Sequence, residues 1–202
     1  MVKSYRILLR PLRVFDLPDV YVNIRDERVT QWTRPPTPIL ADKRLALYFY
    51  KVFRHIFKGI TLIFKSCVPI QKSSTAQLAI LLKETNRVIG IVTIKKHKDS
   101  GSKAEISFWM GVAYWGKGIM TETLPLAIEY AFLRMGCEII TAWTYEANMP
   151  SRKVMEKCGF KFIGTDKNAY YKFGQWHNRL NYSMLRQEWF KLIGKQSTAE
   201  VN

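Results

Sequence analysis

Cysteine, histidine and carboxylates are all scarce in this chain of 202 residues. The three cysteines, Cys67, Cys137 and Cys158, are too few and too far apart for a disulfide framework, and none forms a CxxC pair for zinc. The histidines His55, His97 and His177 lack ligand spacing, so no metal is expected. No window approaches about 18 uncharged apolar residues, which excludes a spanning helix and leaves no membrane partner expected. The segment MVKSYRILLRPLR is charged too soon for the apolar core of a signal peptide. With unpaired cysteines, this gives a reduced, cytoplasmic compartment as the expectation. The phosphate-loop spacing GxxxxGK[ST] and the dinucleotide fingerprint GxGxxG are also missing.

What is present is apolar mass and positive charge. Hydrophobic residues make up 48% and aromatics 13%, which excludes a disordered basic tail. The length suits one domain, drawn at 1–192, with 193–202 as a flexible tail. Lys and Arg number 32 against 16 Asp and Glu, a net charge of +16. Residues 1–100 carry +12 of it and residues 101–202 carry +4. Such a field favours anionic partners: nucleic acid, a phosphorylated cofactor or acidic lipid. A generally solvating basic surface accounts for the same numbers.

Periodicity predicts the order β-α-α-β-β-β-α-β-α-β-β. Residues 4–13 alternate as a strand, and a short helix follows from Asp16 to about Asp26. Prolines 35, 36 and 38 make residues 32–38 a rigid loop. Residues 39–57 read as a long amphipathic helix, packed on a sheet or lying as a basic surface element. Residues 76–84 and 87–96 read as a hairpin, KHKDSGSK as a loop, and 104–113 as a strand. A helix over 117–135, a strand over 137–145, a short helix over 149–158 and strands near 159–173 and 176–186 complete the pattern. The fold class is therefore α/β (α+β mixed), a mixed, mostly antiparallel sheet flanked by helices.

Two segments carry chemistry. In AEISFWMGVAYWGKGIMTET, residues 104–123, a strand runs to Val112 and a glycine turn leads directly into a helix. Glycine lets backbone N–H groups turn toward an anion, and the helix N-terminus adds its dipole, so the unit is a pyrophosphate-binding candidate. A simple tight turn explains the same residues. In WTYEANMPSRKVMEKCGF, residues 143–160, Asn148 suits an N-cap, Pro150 the first turn and Gly159 the C′ position. Caps leave Ser151 with no structural need.

Together these segments resemble the GNAT superfamily of acetyl-CoA-dependent N-acetyltransferases. YWGKG before a helix is similar to its pyrophosphate motif, and NxxSxxxxEKxGF to its second signature. GQWHNRLNYSMLRQEW, residues 174–189, resembles the ending of the Rim branch, the ribosomal-protein-alanine N-acetyltransferases and their relatives; RILLRPLRVFDLPDV fits it too. The resemblance implies a GNAT-like fold and acetyl-CoA as co-substrate, with no metal. It assigns backbone groups of Met110 and Val112 to the pantetheine. The amides of Trp115, Gly116, Lys117, Gly118 and Ile119, with Thr121, go to the pyrophosphate. Asn148 goes to the pantetheine arm and Ser151 to the acid that meets the departing thiolate. Glu105 is the candidate base, or alternatively an exposed partner of Lys103. Trp32, Arg34 and Tyr145 are the expected walls of the acceptor cleft, with core packing the alternative for the two aromatics. Three departures stand out: Ala113 where the family usually has Gln or Arg, Met155 where much of it has Tyr, and Asn178 where it has Asp.

The acceptor expected from the branch is the N-terminal α-amine of a protein, a ribosomal one foremost. A small amine (polyamine, antibiotic or amino acid) and a non-enzymatic RNA- or ribosome-binding module are the alternatives. The +16 charge works modestly against a polycation and leaves ribosome or RNA docking open. Monomer and homodimer are both allowed.

Overall fold

Alternation sets the first strand, β1 (Ile7–Pro11), in which Ile7 is buried and Leu8 exposed. The computed structural model describes residues 4–33 and 74–199. Helices α1 (Leu17–Ile24) and α2 (Glu27–Thr30) follow β1. Strands β2 (Thr75–Leu82), β3 (Arg87–His97) and β4 (Ser100–Met110) come next. Then come α3 (Ile119–Leu133), β5 (Ile139–Tyr145), α4 (Met149–Lys157), β6 (Lys161–Lys172), β7 (Gln175–Leu185) and α5 (Arg186–Ala199). Among the described residues, the strands hydrogen-bond in the order β1-β2-β3-β4-β5-β7-β6, a mixed and mostly antiparallel sheet. The expected helix over 39–57, the loop at 34–38 and Cys67 lie outside the described residues.

The chain divides into two units. The first comprises Ser4–Thr93 and Phe108–Ile119. Here β1 pairs antiparallel with β2, Ile7 opposite Leu82 and Leu9 opposite Ile80. Leu12, Ala79, Leu81, Val88 and Ile91 form a core cluster against which Val20 and Trp109 pack. Burial of each large aliphatic side chain stabilises the fold by about 1.5–3 kcal/mol. Polar groups fix the helical segment. Arg10 donates two bonds to buried Asp16, at 2.8 and 2.7 Å, and the Arg13 amide donates a third at 2.8 Å. Asp19 accepts from the Val88 amide at 2.9 Å, and Asn23 donates to the Val88 carbonyl at 3.1 Å. Both backbone groups at the start of β3 are thereby satisfied by α1.

The second unit comprises Ile94–Ser107 and Met120–Asn202. Its parallel pair is β4 with β5, Lys103 opposite Ile139 and Glu105 opposite Thr141. Strand β5 pairs antiparallel with β7, and β7 with β6. Helix α3 buries Leu124, Ala127, Ile128, Ala131 and Phe132, an i, i+3, i+4, i+7, i+8 stripe. Helix α4 buries Met155 and closes on Gly159 at φ +88°. The Phe160 amide bonds the Met155 carbonyl and the Gly159 amide the Glu156 carbonyl, both at 3.0 Å. That is the Schellman arrangement, and it places glycine where the sequence predicts it.

Three features differ from the expectation. KHKDSGSK is not a loop: β3 runs to His97 and β4 starts at Ser100, so the reversal is a tight turn. Strand β4 ends at Met110, and Val112 belongs to a 3-10 turn, Val112–Tyr114. Arg186–Ala199 is a helix, so the tail expected from 193 begins inside α5, which Trp189 anchors by burial.

Candidate functional site

The end of β4 builds the first part of the site, within the first unit. The 3-10 turn is closed by the Tyr114 amide on Gly111 O at 3.0 Å and the Trp115 amide on Val112 O at 3.1 Å. The Trp115 indole reaches back to donate to Met110 O at 2.6 Å. Trp115 therefore occupies the carbonyls of both Met110 and Val112, and its own amide, assigned to the pyrophosphate from sequence, is already used. Its place in the site is to lock the turn.

Beyond it the chain becomes a shallow amide-lined turn. Gly116 and Gly118 both sit at φ +73°. A Cβ on Gly116 would meet nothing within 4 Å, and one on Gly118 only the Arg6 guanidinium at 3.8 Å. Glycine is thus required by backbone conformation rather than by room. Among the described residues, the amides of Gly116, Lys117 and Gly118 donate to no backbone carbonyl. Helix α3 starts at Ile119, two residues later than the sequence predicts, so the whole Gly-Lys-Gly turn lies ahead of its positive end. Arg6 donates to Lys117 O at 3.0 Å, which brings a second cation to the turn. Sequence reading missed Arg6 because it lies 111 residues away from its partner; its position at the head of β1 is the only local signal.

Asn148 and Ser151 belong to the second unit. Buried Asn148 caps α4, its Oδ1 accepting from the Ser151 amide at 3.3 Å. Ser151 is half-buried in the first turn of α4. Thr121, in the first turn of α3, has a carbonyl whose usual helical donor would be residue 125, and that residue is Pro125. The Cys158 thiol donates to this carbonyl instead, at 3.8 Å. Burial pushes the Cys158 thiol up to about 12 and raises that of Cys137 too.

Both thiols therefore stay protonated and unreactive in the folded protein. Alkylation followed by peptide mass mapping should show Cys137 and Cys158 modified only after unfolding. The raised pKa also sets a pH dependence. The thiol form is favoured by the fold, so its contribution is complete below the unfolded value near 9 and is lost as pH rises toward about 12. Urea midpoints should fall over that alkaline window, and Cys158→Ala should remove that part of the fall.

Glu105 is half-buried on β4, opposite Thr141, and makes no ion pair with Lys103 among the described residues. Trp32 is half-buried, its amide bonded to Val29 O at 3.1 Å, and Arg34 lies outside the described residues. Tyr145, expected in the acceptor cleft, is only 4% exposed. It packs edge-on to Trp143, Tyr170 and His177, while Trp143 and Tyr170 stack at 5.0 Å. The Lys172 ammonium lies 5.5 Å from the Tyr145 ring centre, and burial lowers its pKa. Tyr145 is thus a support for this cluster rather than an open wall. Asn178 donates to Glu146 Oε2 at 2.8 Å and accepts from the Asn168 amide at 3.0 Å. An aspartate there could not donate to Glu146, so the amide suits this chain's own surroundings.

A family model described as acetyltransferase (GNAT) domain matches residues 6–161. The protein YdaF of Bacillus subtilis (strain 168), whose name refers to a ribosomal N-acetyltransferase, is 31% identical over 100 residues, 50% of this chain and 55% of the relative. The chain spans 55% and 64% of the lengths of two such curated relatives. Among solved structures, spermidine N-acetyltransferase from Vibrio cholerae, in complex with CoA and spermine, superposes with TM-score 0.70 at 15% identity, covering 93% of this chain and 99% of that one. Ribosomal-protein-S5-alanine acetyltransferase from Vibrio fischeri superposes with TM-score 0.68 at 18% identity, covering 93% and 97%. At such identities the likeness establishes the fold. With the matching family model spanning most of its length, the chain belongs to the acetyltransferase (GNAT) domain family.

Proposed function

We propose that this protein is an acetyl-CoA-dependent N-acetyltransferase whose acceptor is the N-terminal α-amine of a protein, a ribosomal protein foremost. The observation that carries the reading is the Gly116-Lys117-Gly118 turn: two left-handed glycines opening onto a helix N-terminus, with Lys117 and Arg6 beside them. That donor set fits a diphosphate, which wants several N–H groups and positive charge at once. Acetyl-CoA, held there by its diphosphate, supplies the acetyl group as a thioester. The amides of Gly116, Lys117 and Gly118 bind, Lys117 and Arg6 add charge, and Trp115 keeps the turn closed. Asn148 and Ser151 are assigned the pantetheine contact and the proton donor, and Glu105 the proton acceptor. A departing thiolate has a pKa of about 8.5, so a hydroxyl in Ser151's role assists without being indispensable.

The choice of acceptor rests on charge and protonation. An α-amine with pKa about 7.7–8.0 is partly neutral at pH 7, whereas a lysine side chain at about 10.4 is not. The former needs less from Glu105. A chain of net charge +16 repels a polycation such as spermidine more than a peptide N-terminus. The fold neighbours include enzymes named for each acceptor, so the test compares them directly. Thiol release from acetyl-CoA is measured with alanine-initiated peptides and with spermidine. Turnover of the peptides with little on spermidine is expected. Turnover of spermidine alone overturns the acceptor assignment, and no turnover with either overturns the activity.

A further inference from the structure

Gly111, the residue that follows β4, is a glycine for want of room. Its φ of −59° and ψ of 144° are open to any residue. What forbids a side chain is Asn23 of α1. A Cβ on Gly111 would lie 2.0 Å from Asn23 Oδ1, 2.7 Å from its Cγ and 3.1 Å from its Cβ. The Asn23 side chain therefore rests directly on the Gly111 Cα, and both residues belong to the first unit.

The direction of that side chain is fixed by its own hydrogen bonds. Nδ2 donates to Asp19 O at 2.9 Å and to Val88 O at 3.1 Å. Both partners are carbonyls, which only accept, so the amide nitrogen faces them and Oδ1 faces Gly111. One turn earlier on α1, Asp19 accepts from the Val88 amide at 2.9 Å. Helix α1 thus grips β3 through two side chains and presses the second of them on the chain leaving β4.

That chain leads straight to the Gly-Lys-Gly turn. The Gly111 amide donates to Ile89 O at 2.9 Å, and its carbonyl accepts from the Tyr114 amide at 3.0 Å. Gly111 is the N-cap of the 3-10 turn Val112–Tyr114. Trp115 closes that turn through its amide on Val112 O and its indole on Met110 O. Gly116, Lys117 and Gly118 follow at once, so a displacement of Gly111 is carried through a hydrogen-bonded turn to their amides.

We propose that Asn23 is a positioning residue for the diphosphate of acetyl-CoA, a role that rests on assigning that anion to the Gly116-Lys117-Gly118 turn. Asn23 touches no part of the cofactor. It sets where Gly111 lies against β3 and thereby where the amides of the turn point. Misdirecting one of them removes a hydrogen bond to a charged oxygen, which weakens binding by about tenfold or more.

A double-mutant cycle on the full chain tests it, with acetyl-CoA affinity from isothermal titration and the Trp115 indole N–H resonance as readouts. The resonance is assigned by its loss in Trp115→Phe and is read without ligand. Gly111→Ala should weaken acetyl-CoA by about tenfold or more and move the resonance. Asn23→Ala should weaken it several-fold and move the resonance too. In the Asn23→Ala background, Gly111→Ala should cost less than about twofold more, because only the 3.1 Å contact with the residue 23 Cβ is left. A role confined to stability would lower the urea midpoint and leave the affinity and resonance of the folded variants unchanged. That result, or additive losses in the double variant, overturns the positioning role. Should Gly111→Ala fail to fold, Asn23→Ala alone decides, and an unmoved resonance with undiminished affinity overturns it. Absence of acetyl-CoA binding by the unsubstituted chain overturns the diphosphate assignment and this role with it, an outcome distinct from normal binding that ignores Asn23.

Discussion

Aspartate at both Gly116 and Gly118 abolishes acetyl-CoA binding, a loss of at least about 100-fold in affinity measured by isothermal titration. Two effects combine. Each glycine sits at φ +73°, where a side chain adds about 1–2 kcal/mol of strain. The chain would relieve that strain by turning the amides of the turn away from their present direction. The second effect is charge. Lys117 and Arg6 put two cations at the turn, and two carboxylates cancel them at the place an anion must occupy. Alanine at the same positions separates the effects. The space around a Cβ there is open, so Gly116→Ala and Gly118→Ala should weaken binding several-fold through the backbone alone. Full affinity in the double aspartate variant would remove the diphosphate assignment from this turn.

The second large effect is on stability. Gly90→Ala should lower it by about 3 kcal/mol, toward the upper end of overpacking in a close-packed interior. An added Cβ would lie 2.4 Å from the Trp109 carbonyl oxygen and 2.9 Å from the Met110 Cα. Both are backbone atoms of β4, so no flexible side chain can give way and the strands must part. The disturbance should spread, because the Met110 carbonyl is the acceptor for the Trp115 indole and the Gly111 amide bonds Ile89 O at 2.9 Å. Urea unfolding should show the lower midpoint, and acetyl-CoA affinity should fall with it. Gly101→Ala is the comparison, since nothing lies within 4 Å of its Cβ; it should change stability by no more than about 0.5 kcal/mol. Equal midpoints for the two variants would show that the β3–β4 approach tolerates a methyl group.

Local features were readable because the physics that fixes them is local. Asn148 ahead of a helix, Gly159 behind it and two glycines before α3 satisfy helix ends, and each needs information from only a few neighbours. Elsewhere strand pairing overrode composition. KHKDSGSK is rich in loop-forming residues, yet β3 and β4 extend through most of it, because β4 finds partners in the sheet, such as Ile139 opposite Lys103. The tail expected from 193 is the second half of the helix Arg186–Ala199, to which Trp189 gives a buried anchor. The resemblance gives the Trp115 amide to the pyrophosphate, but the 3-10 turn consumes that amide, and the indole locks the turn on Met110 O.

The sequence by itself determined most of the element types, the glycine turn ahead of α3, the caps of α4 and the excess of positive charge. These follow from periodicity, backbone freedom and composition, which are properties of short segments. Only the tertiary structure decided which distant groups meet. It brought Arg6 to Lys117, and it placed Cys158 under the carbonyl that Pro125 leaves without a donor. It turned Tyr145 from a cleft wall into a buried ring, and it set Asn23 of α1 against Gly111. Such pairings depend on strand order and helix docking, and chain spacing carries no record of either.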